Sequence, residues 1–172
     1  MQTQVWSCGG GCQSCAIAAL IIQGRLPKPD ISLIVDTERE KSGTWEYMEK
    51  ILKPELLNTG IELKRIKKSN FATVDIYAHN GDLLLPVFTT LNGAPSKMPT
   101  FCSNEWKQRV ASRYLRSLGI KECIRWIGFS LDEAPRVVRM RASQGDSVRF
   151  PLIEDVPMNR HECIRLVEKM GW

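Results

Sequence analysis

Three cysteines, three adjacent glycines and a glutamine–serine pair crowd the stretch SCGGGCQSC, Ser7 to Cys15, and their spacing supports two different chemistries. Cys8, Cys12 and Cys15 form a C-x3-C-x2-C pattern, and thiolates so grouped can ligate an iron–sulfur cluster. Gly9, Gly10 and Gly11, followed by Gln13 and Ser14, open instead onto the apolar run CAIAALII. Successive backbone N–H groups in a glycine turn that leads into a helix N-terminus present fixed partial positive charge to a phosphate. Ser14 can add a hydroxyl donor. It is not the Walker loop, because no Gly-Lys-Ser/Thr follows, and three adjacent glycines are not the dinucleotide fingerprint. A glycine triplet is equally at home in a plain tight turn. Against the cluster, Cys15 opens a run that reads as buried, and free cysteine is among the most buried residue types.

Other residues with chemical potential lie apart from this loop. Asp36 and Thr37 end a β-branched run, where an aspartate can bind a metal, hydrogen-bond a nucleotide or cap the next helix. Cys102 precedes a helical pattern containing Lys107 and Arg109, and a helix N-terminus with nearby cations lowers a thiol's pKa. A buried anchoring cysteine is the alternative there. Lys107, Arg109 and Arg113 could neutralise an anionic substrate, although their spacing also suits an exposed helix face. His161 reads as a surface residue, and Asp132 and Glu133 as helix caps. The clusters Lys64, Arg65, Lys67, Lys68 and Arg136, Arg139, Arg141 read as solvated faces.

The elements that must position these residues alternate. Thr3 to Ser7 reads as a strand, Ser14 to Ile22 as a buried helix, and Ile31 to Val35 as a strand covered on both faces. Thr44 to Leu57 has helical spacing, with Pro54 expected to kink or end it, and Ile61 to Ile66 alternates as a half-buried strand does. Residues 67 to 101, with Asn80-Gly81, Asn92-Gly93 and several prolines, read as an irregular insertion. A helix from Ser103 to Leu118 follows, then a strand from Cys123 to Phe129 and a helix over Asp132 to Arg141. Arg149 to Ile153 reads as extended. A last helix is capped by Asn159 and carries Cys163, Ile164, Val167 and Met170. Strand, loop, helix, strand, helix, strand implies an α/β fold with a Rossmann-like open, mainly parallel sheet and helices on both faces. Ligands in such sheets bind outside the carboxyl ends of the strands, where strand order reverses. The glycine loop directly follows the first strand.

Composition sets wider bounds. A chain of 172 residues, 43% hydrophobic and 25% charged, is expected to form one domain over 1–172. Its longest uninterrupted apolar run, Ala16 to Ile22, is far shorter than the roughly 20 residues that span a bilayer. Met1 to Ser7 carries no charged side chain, unlike a secretory leader, so a cytoplasmic location without membrane attachment is expected. Its six cysteines are then expected as thiols. The formal charge of +5 favours anionic partners, nucleotide or nucleic acid, though weakly.

The motifs taken in order resemble the PP-loop superfamily of adenine nucleotide alpha hydrolases, and within it the phage and prophage proteins described as phosphoadenosine phosphosulfate (PAPS) reductase-like. The loop Ser7–Ser14 resembles S-φ-G-G-G-x-Q-S, Asp36-Thr37 a strand-ending Asp-Thr, and Gly43 to Tyr47 an E-T-φ-E-Y-like helix start. Pro99, Phe101, Cys102, Trp106 and Lys107 resemble P-x-F-C-x-x-x-W-K, Ile127 to Glu133 resembles I-G-φ-S-x-D-E, and Phe150 to Ile153 resembles φ-P-L-I. The resemblance implies ATP or a related adenine nucleotide as ligand, with Mg as an accompanying ion and an acceptor it does not specify. It implies phosphate contacts at Ser7, Gly9, Gly10, Gly11, Gln13 and Ser14 and nucleoside contacts at Asp36 and Thr37. Cys102 and Lys107 are the catalytic candidates. The implied chemistry is cleavage at the alpha-phosphate, or handling of a PAPS-like substrate. The alternatives are a nucleotide-binding module without turnover and an iron–sulfur protein built on the cysteine triad. The chain departs from the commoner S-G-G-x-D-S loop at Gly9 and Gln13, and from Asp-Thr-Gly at Glu38. No catalytic cysteine motif of the sulfonucleotide reductases follows Cys163.

Overall fold

A computed structural model describes residues 2–85, 87–91, 93–97, 103–138, 140 and 145–172. The chain begins with β1 (Thr3–Cys8), the glycine turn, α1 (Cys12–Ile22) and β2 (Ile31–Asp36). Next come α2 (Ser42–Tyr47), a π-helical turn at Met48–Leu52, α3 (Lys53–Asn58) and β3 (Leu63–Lys67). The middle of the chain holds β4 (Phe88–Leu91) and β5 (Ala94–Lys97), then a π-helical turn Ser103–Gln108 running into α4 (Arg109–Ser117). β6 (Cys123–Trp126), α5 (Ala134–Val137), β7 (Ser147–Arg149), α6 (Pro151–Glu154) and α7 (Arg160–Lys169) complete it.

Five strands form one sheet in the order β3-β2-β1-β6-β7, every neighbouring pair parallel. The chain steps outward from β1 to β3 and then returns to β6 on the other side of β1. Strand order therefore reverses between β1 and β6. Alternate side chains of the central strands feed two apolar layers. Trp6, Cys8, Ile34 and Trp126 pack with α1, with Leu56 of α3, and with Cys163 and Leu166 of α7. Val5, Leu33, Val35, Ile66 and Cys123 pack against Val110, Ala111 and Leu115 of α4. Burial on both faces is what the continuous run ISLIV predicts of β2. It fixes the register and so places the loops after β1 and β2 at one edge of the sheet.

Several local readings are corrected. Of the two outcomes open for Pro54, a kink or an end to the helix's first part, it is the end that does not occur. The preceding turn widens instead, with the Lys53 N–H bonding the Met48 carbonyl five residues back, and such a bulge accommodates the ring and the missing donor of a proline. Phe150 to Ile153 is not extended, because Pro151 sits in the first turn of α6, where its fixed φ favours a helix and its absent N–H costs nothing. Helix after Asp132 is a 3-10 turn at Leu131–Glu133 followed by α5, ending at Val137. Within 67–101, β4 and β5 pair antiparallel around Gly93, whose φ is 79°. Asn-Gly between two short runs is a hairpin signal. The apolar side of α7 is Cys163 with Leu166 rather than Ile164, which is exposed. The Asn159 cap is as expected and forms a full capping box with Glu162.

The segment after β3 is tied to the start of α4. Trp106 donates its indole N–H to the Asp75 carbonyl at 2.8 Å. The Lys68 ammonium lies 4.6 Å from the same ring and pairs with Asp75. Lys68, and then Arg39, hold the Asp75 carboxyl below the usual carboxylate range. Among the described residues no helix is long and apolar enough to cross a membrane.

Candidate functional site

A cleft of about 450 Å³ opens at the carboxyl edge of the sheet, between β1, β2 and β6 below and the start of α4 above. Its floor is Ser7, Cys8, Gly9, Leu33 and Val35, its far wall Ile127, Phe129 and Val148, and its near wall Thr44 and Trp45. Lys107, Arg125, Arg136 and Glu40 are the charged residues on its lining. A mostly apolar hollow with a few convergent polar groups at the reversal point is the usual form of a small-molecule site in an open α/β sheet.

The glycine turn borders this cleft through Gly9. Gly10 has a φ of 75° and faces Met48, Ile34 and Thr44 at 3.4–3.6 Å from where a β-carbon would stand, so a side chain there meets both strain and contact. Gly11 is the N-cap of α1, with extended backbone and no side-chain cap bond, and no acidic residue lies in the first turn. The N–H groups of Gly11, Cys12, Gln13 and Ser14 are therefore the orphan donors that every helix start carries. Gly9 is spent differently, since its N–H donates to Ser14 Oγ at 2.8 Å. Ser14 is buried and braces the turn from beneath. Gln13 donates through Nε2 to Glu133 at 3.2 Å and accepts from the Cys12 thiol at 3.1 Å.

Among the described residues no three His, Cys, Asp or Glu side chains are grouped to hold a metal ion, so Cys8, Cys12 and Cys15 do not form such a site. Burial pushes the Cys8 thiol up to about 12 and raises Cys15 as well.

Asp36 is buried, and its carboxylate is fully engaged. Oδ2 accepts from Arg65 Nε at 3.0 Å and Nη2 at 2.7 Å, and Oδ1 accepts the Glu38 N–H at 2.7 Å. Neither Asp36 nor Thr37 lines the cleft, whereas Ser7, Gly9 and Lys107 do. Lys107 is half exposed and pairs with Glu40 at 3.3 Å. Cys102 lies outside the described residues. Arg109 pairs with Glu105, and Arg113 donates to the Phe71 carbonyl. Both serve the helix and its neighbours. His161 is exposed, and Asp132 accepts the Arg160 N–H at the head of α7.

Sequence reasoning missed four contributors. Arg125 lines the cleft while paired with buried Asp146 at 2.6 Å. Arg136 stacks over Phe129 at 4.4 Å and pairs with Glu133. Phe129 in turn stacks on Phe150 at 5.9 Å. Trp45 forms the near wall. Arg136 was within sight in its cluster of arginines, and I-G-F holds Phe129, but nothing in the sequence signals Arg125. At Gly128, between β6 and that wall, a β-carbon would stand 3.4 Å from Ile17 of α1.

No protein-family model matches the sequence, and no curated protein does either. Among solved structures, the U34-tRNA thiolase NcsA from Methanococcus maripaludis, described with its four-iron, four-sulfur cluster, matches over 97% of this chain. The TM-score is 0.59, the identity 12%, and the match spans 55% of the thiolase chain, about half its length. This chain has the α/β fold of that thiolase, a parallel five-stranded sheet flanked by helices.

Proposed function

We propose that this chain is a PP-loop adenine-nucleotide enzyme, holding ATP or an adenylyl sulfate and acting at the alpha-phosphate. The observation that carries the proposal is the uncapped N-terminus of α1 beside a cleft at the strand-reversal point. The terminal phosphates lie against Gly9, Gly11 and the first-turn N–H groups of α1, where dipole and donors act together. The nucleoside lies over Leu33, Val35 and Ile127. The acceptor's oxygen attacks the alpha-phosphorus, the bond to the bridging oxygen breaks, and pyrophosphate leaves with the electron pair while the acceptor's proton passes to solvent. Lys107 exchanges Glu40 for a phosphate oxygen, and Arg136 lies across the same cleft, so both offset the charge that builds on the leaving group. For the acceptor, nucleic acid has two supports, the +5 charge and the tRNA substrate of the structural neighbour. The finer likeness to PAPS reductase-like proteins rests on the motif series alone.

A binding module without turnover is the second reading. It is favoured by the loop side chains, since Gln13 is tied to Glu133 and Ser14 to Gly9. Product analysis after incubation with Mg-ATP separates the two. AMP and pyrophosphate from the native chain, lost in Lys107→Ala, are the expected result. Bound but intact ATP supports the module, and absence of nucleotide binding overturns both.

A further inference from the structure

On the nucleotide reading above, we infer that Trp45 is the platform on which the ligand's base stacks, and that Arg65 and Asp36 are the positioning residues that set it. Trp45 borders the cleft and is half-buried against the α1 side of the core. The Arg65 guanidinium lies 3.7 Å from the centre of its ring, a full cation–π contact on one face. That guanidinium is held by Asp36 through two hydrogen bonds of 2.7 and 3.0 Å to one carboxylate oxygen. Asp36 is itself fixed by the Glu38 N–H and is only 3% exposed.

The order of support runs inward from the ligand. A buried carboxylate fixes an arginine, the arginine fixes an indole, and the indole walls the apolar part of the cleft. A flat ring held in one orientation before the ligand arrives loses little entropy on stacking. An arginine resting on an aromatic face, and not only on a carboxylate, restricts the ring as well as the charge. The arrangement also explains why Asp36 stands where a nucleoside contact is expected without lining the cleft. It serves the base through two side chains. An aromatic platform discriminates flat bases from ligands that offer phosphate alone, so its ligand class is a nucleotide carrying a purine. Stacking favours the larger ring system.

Calorimetric titration with two probes, ATP and inorganic tripolyphosphate, tests this, with melting curves checking that every variant folds. Native protein is expected to bind ATP more tightly than tripolyphosphate. Trp45→Ala should weaken ATP roughly tenfold while leaving tripolyphosphate unchanged, a loss typical of one base stack, and Trp45→Phe should restore most of it. Arg65→Met should weaken ATP a few fold, and in the double variant with Trp45→Ala it should add nothing further, since residues acting through one contact are not additive. An unchanged ratio of the two affinities in Trp45→Ala overturns the platform. So does native protein that binds both probes equally, which leaves the phosphate loop standing. Native protein that binds neither overturns the nucleotide reading and the platform with it.

Discussion

The turns that follow β1 and β2 lie at the same edge of the sheet, yet they dispose of their polar groups in opposite ways. After β1 the chain has almost no side chains, and α1 begins without a cap, so its first N–H groups are left over. After β2 the side chains of Asp36 and Glu38 take up neighbouring donors instead. Asp36 takes the Glu38 N–H and Arg65, and the Glu38 carboxylate takes the N–H and hydroxyl of Ser69 at 3.1 and 2.9 Å. The comparison teaches that residue type and place are not enough to nominate a ligand contact. Donors and acceptors still unspent in the folded chain are the better guide, because most buried polar groups find some partner.

The strongest way to break this contrast is to fill the first turn. Gly10→Val puts a β-branched residue at a φ of 75° against Met48, and should cost about 3 kcal/mol of stability as well as nucleotide binding. Gly11→Ala is the sharper variant. Its φ is −95°, and a β-carbon there comes no nearer than 3.9 Å to Gln13, so stability should fall by no more than about 1 kcal/mol, the loss of an N-cap preference. Binding should nevertheless drop by tenfold or more on the order of one displaced phosphate contact. Calorimetry alongside thermal melting checks both, and unimpaired binding by Gly11→Ala would remove the N-terminus of α1 from the site.

The second turn should respond in stability first. Asp36→Ala leaves the Glu38 N–H without its acceptor and, among the described residues, the Arg65 guanidinium with only the Glu49 carboxylate, at 3.8 Å. We expect about 2 kcal/mol, at the lower end for a broken charge pair because Arg65 is one-third exposed. Tripolyphosphate binding should survive, which denaturant melts and titration together can establish. Were tripolyphosphate binding lost in a folded Asp36→Ala, the second turn would belong to the phosphate site after all.

These two turns also mark how far the sequence is legible. Strand, glycine turn and buried helix were readable because apolar runs and glycines report on local backbone and burial. The same holds for the mainly parallel sheet and for the Asn159 cap. Trp45, Arg125 and Arg136 were not, since what a charged or aromatic side chain meets is decided by elements distant in the chain. Arg125 finds Asp146, and Arg65 finds both Asp36 and Trp45. Pro151 was misread for the opposite reason. Its signal is local, but the strand-like residues around it outweighed a first-turn proline.

Gln13 is where the first turn touches a charged neighbour, and the commoner loop carries aspartate at that place. Gln13→Asp would set a carboxylate where an amide now donates to Glu133 at 3.2 Å. The loss of one bond and the repulsion together should cost about 1 kcal/mol, and Glu133→Gln in the same chain should recover most of it. A double-mutant cycle on melting free energy measures the coupling. Additive effects would mean that the amide and the carboxylate meet without consequence.

The smallest effect concerns Glu38, which stands where the resembled family has glycine. Its φ of 61° is left-handed, the single such non-glycine position among the described residues, and a side chain there is strained by roughly 1 kcal/mol. The bonds to Ser69 offset that strain at a largely exposed site. Glu38→Gly removes strain and bonds together and should change stability by less than about 0.5 kcal/mol, whereas Glu38→Ala keeps the strain and forfeits the bonds, for a loss of about 1 kcal/mol. Glycine should therefore melt above alanine at this position, the reverse of their order in a helix or an ordinary loop. If alanine melts higher, the left-handed turn is not what fixes Asp36, and the closure of the second turn comes from Arg65 alone.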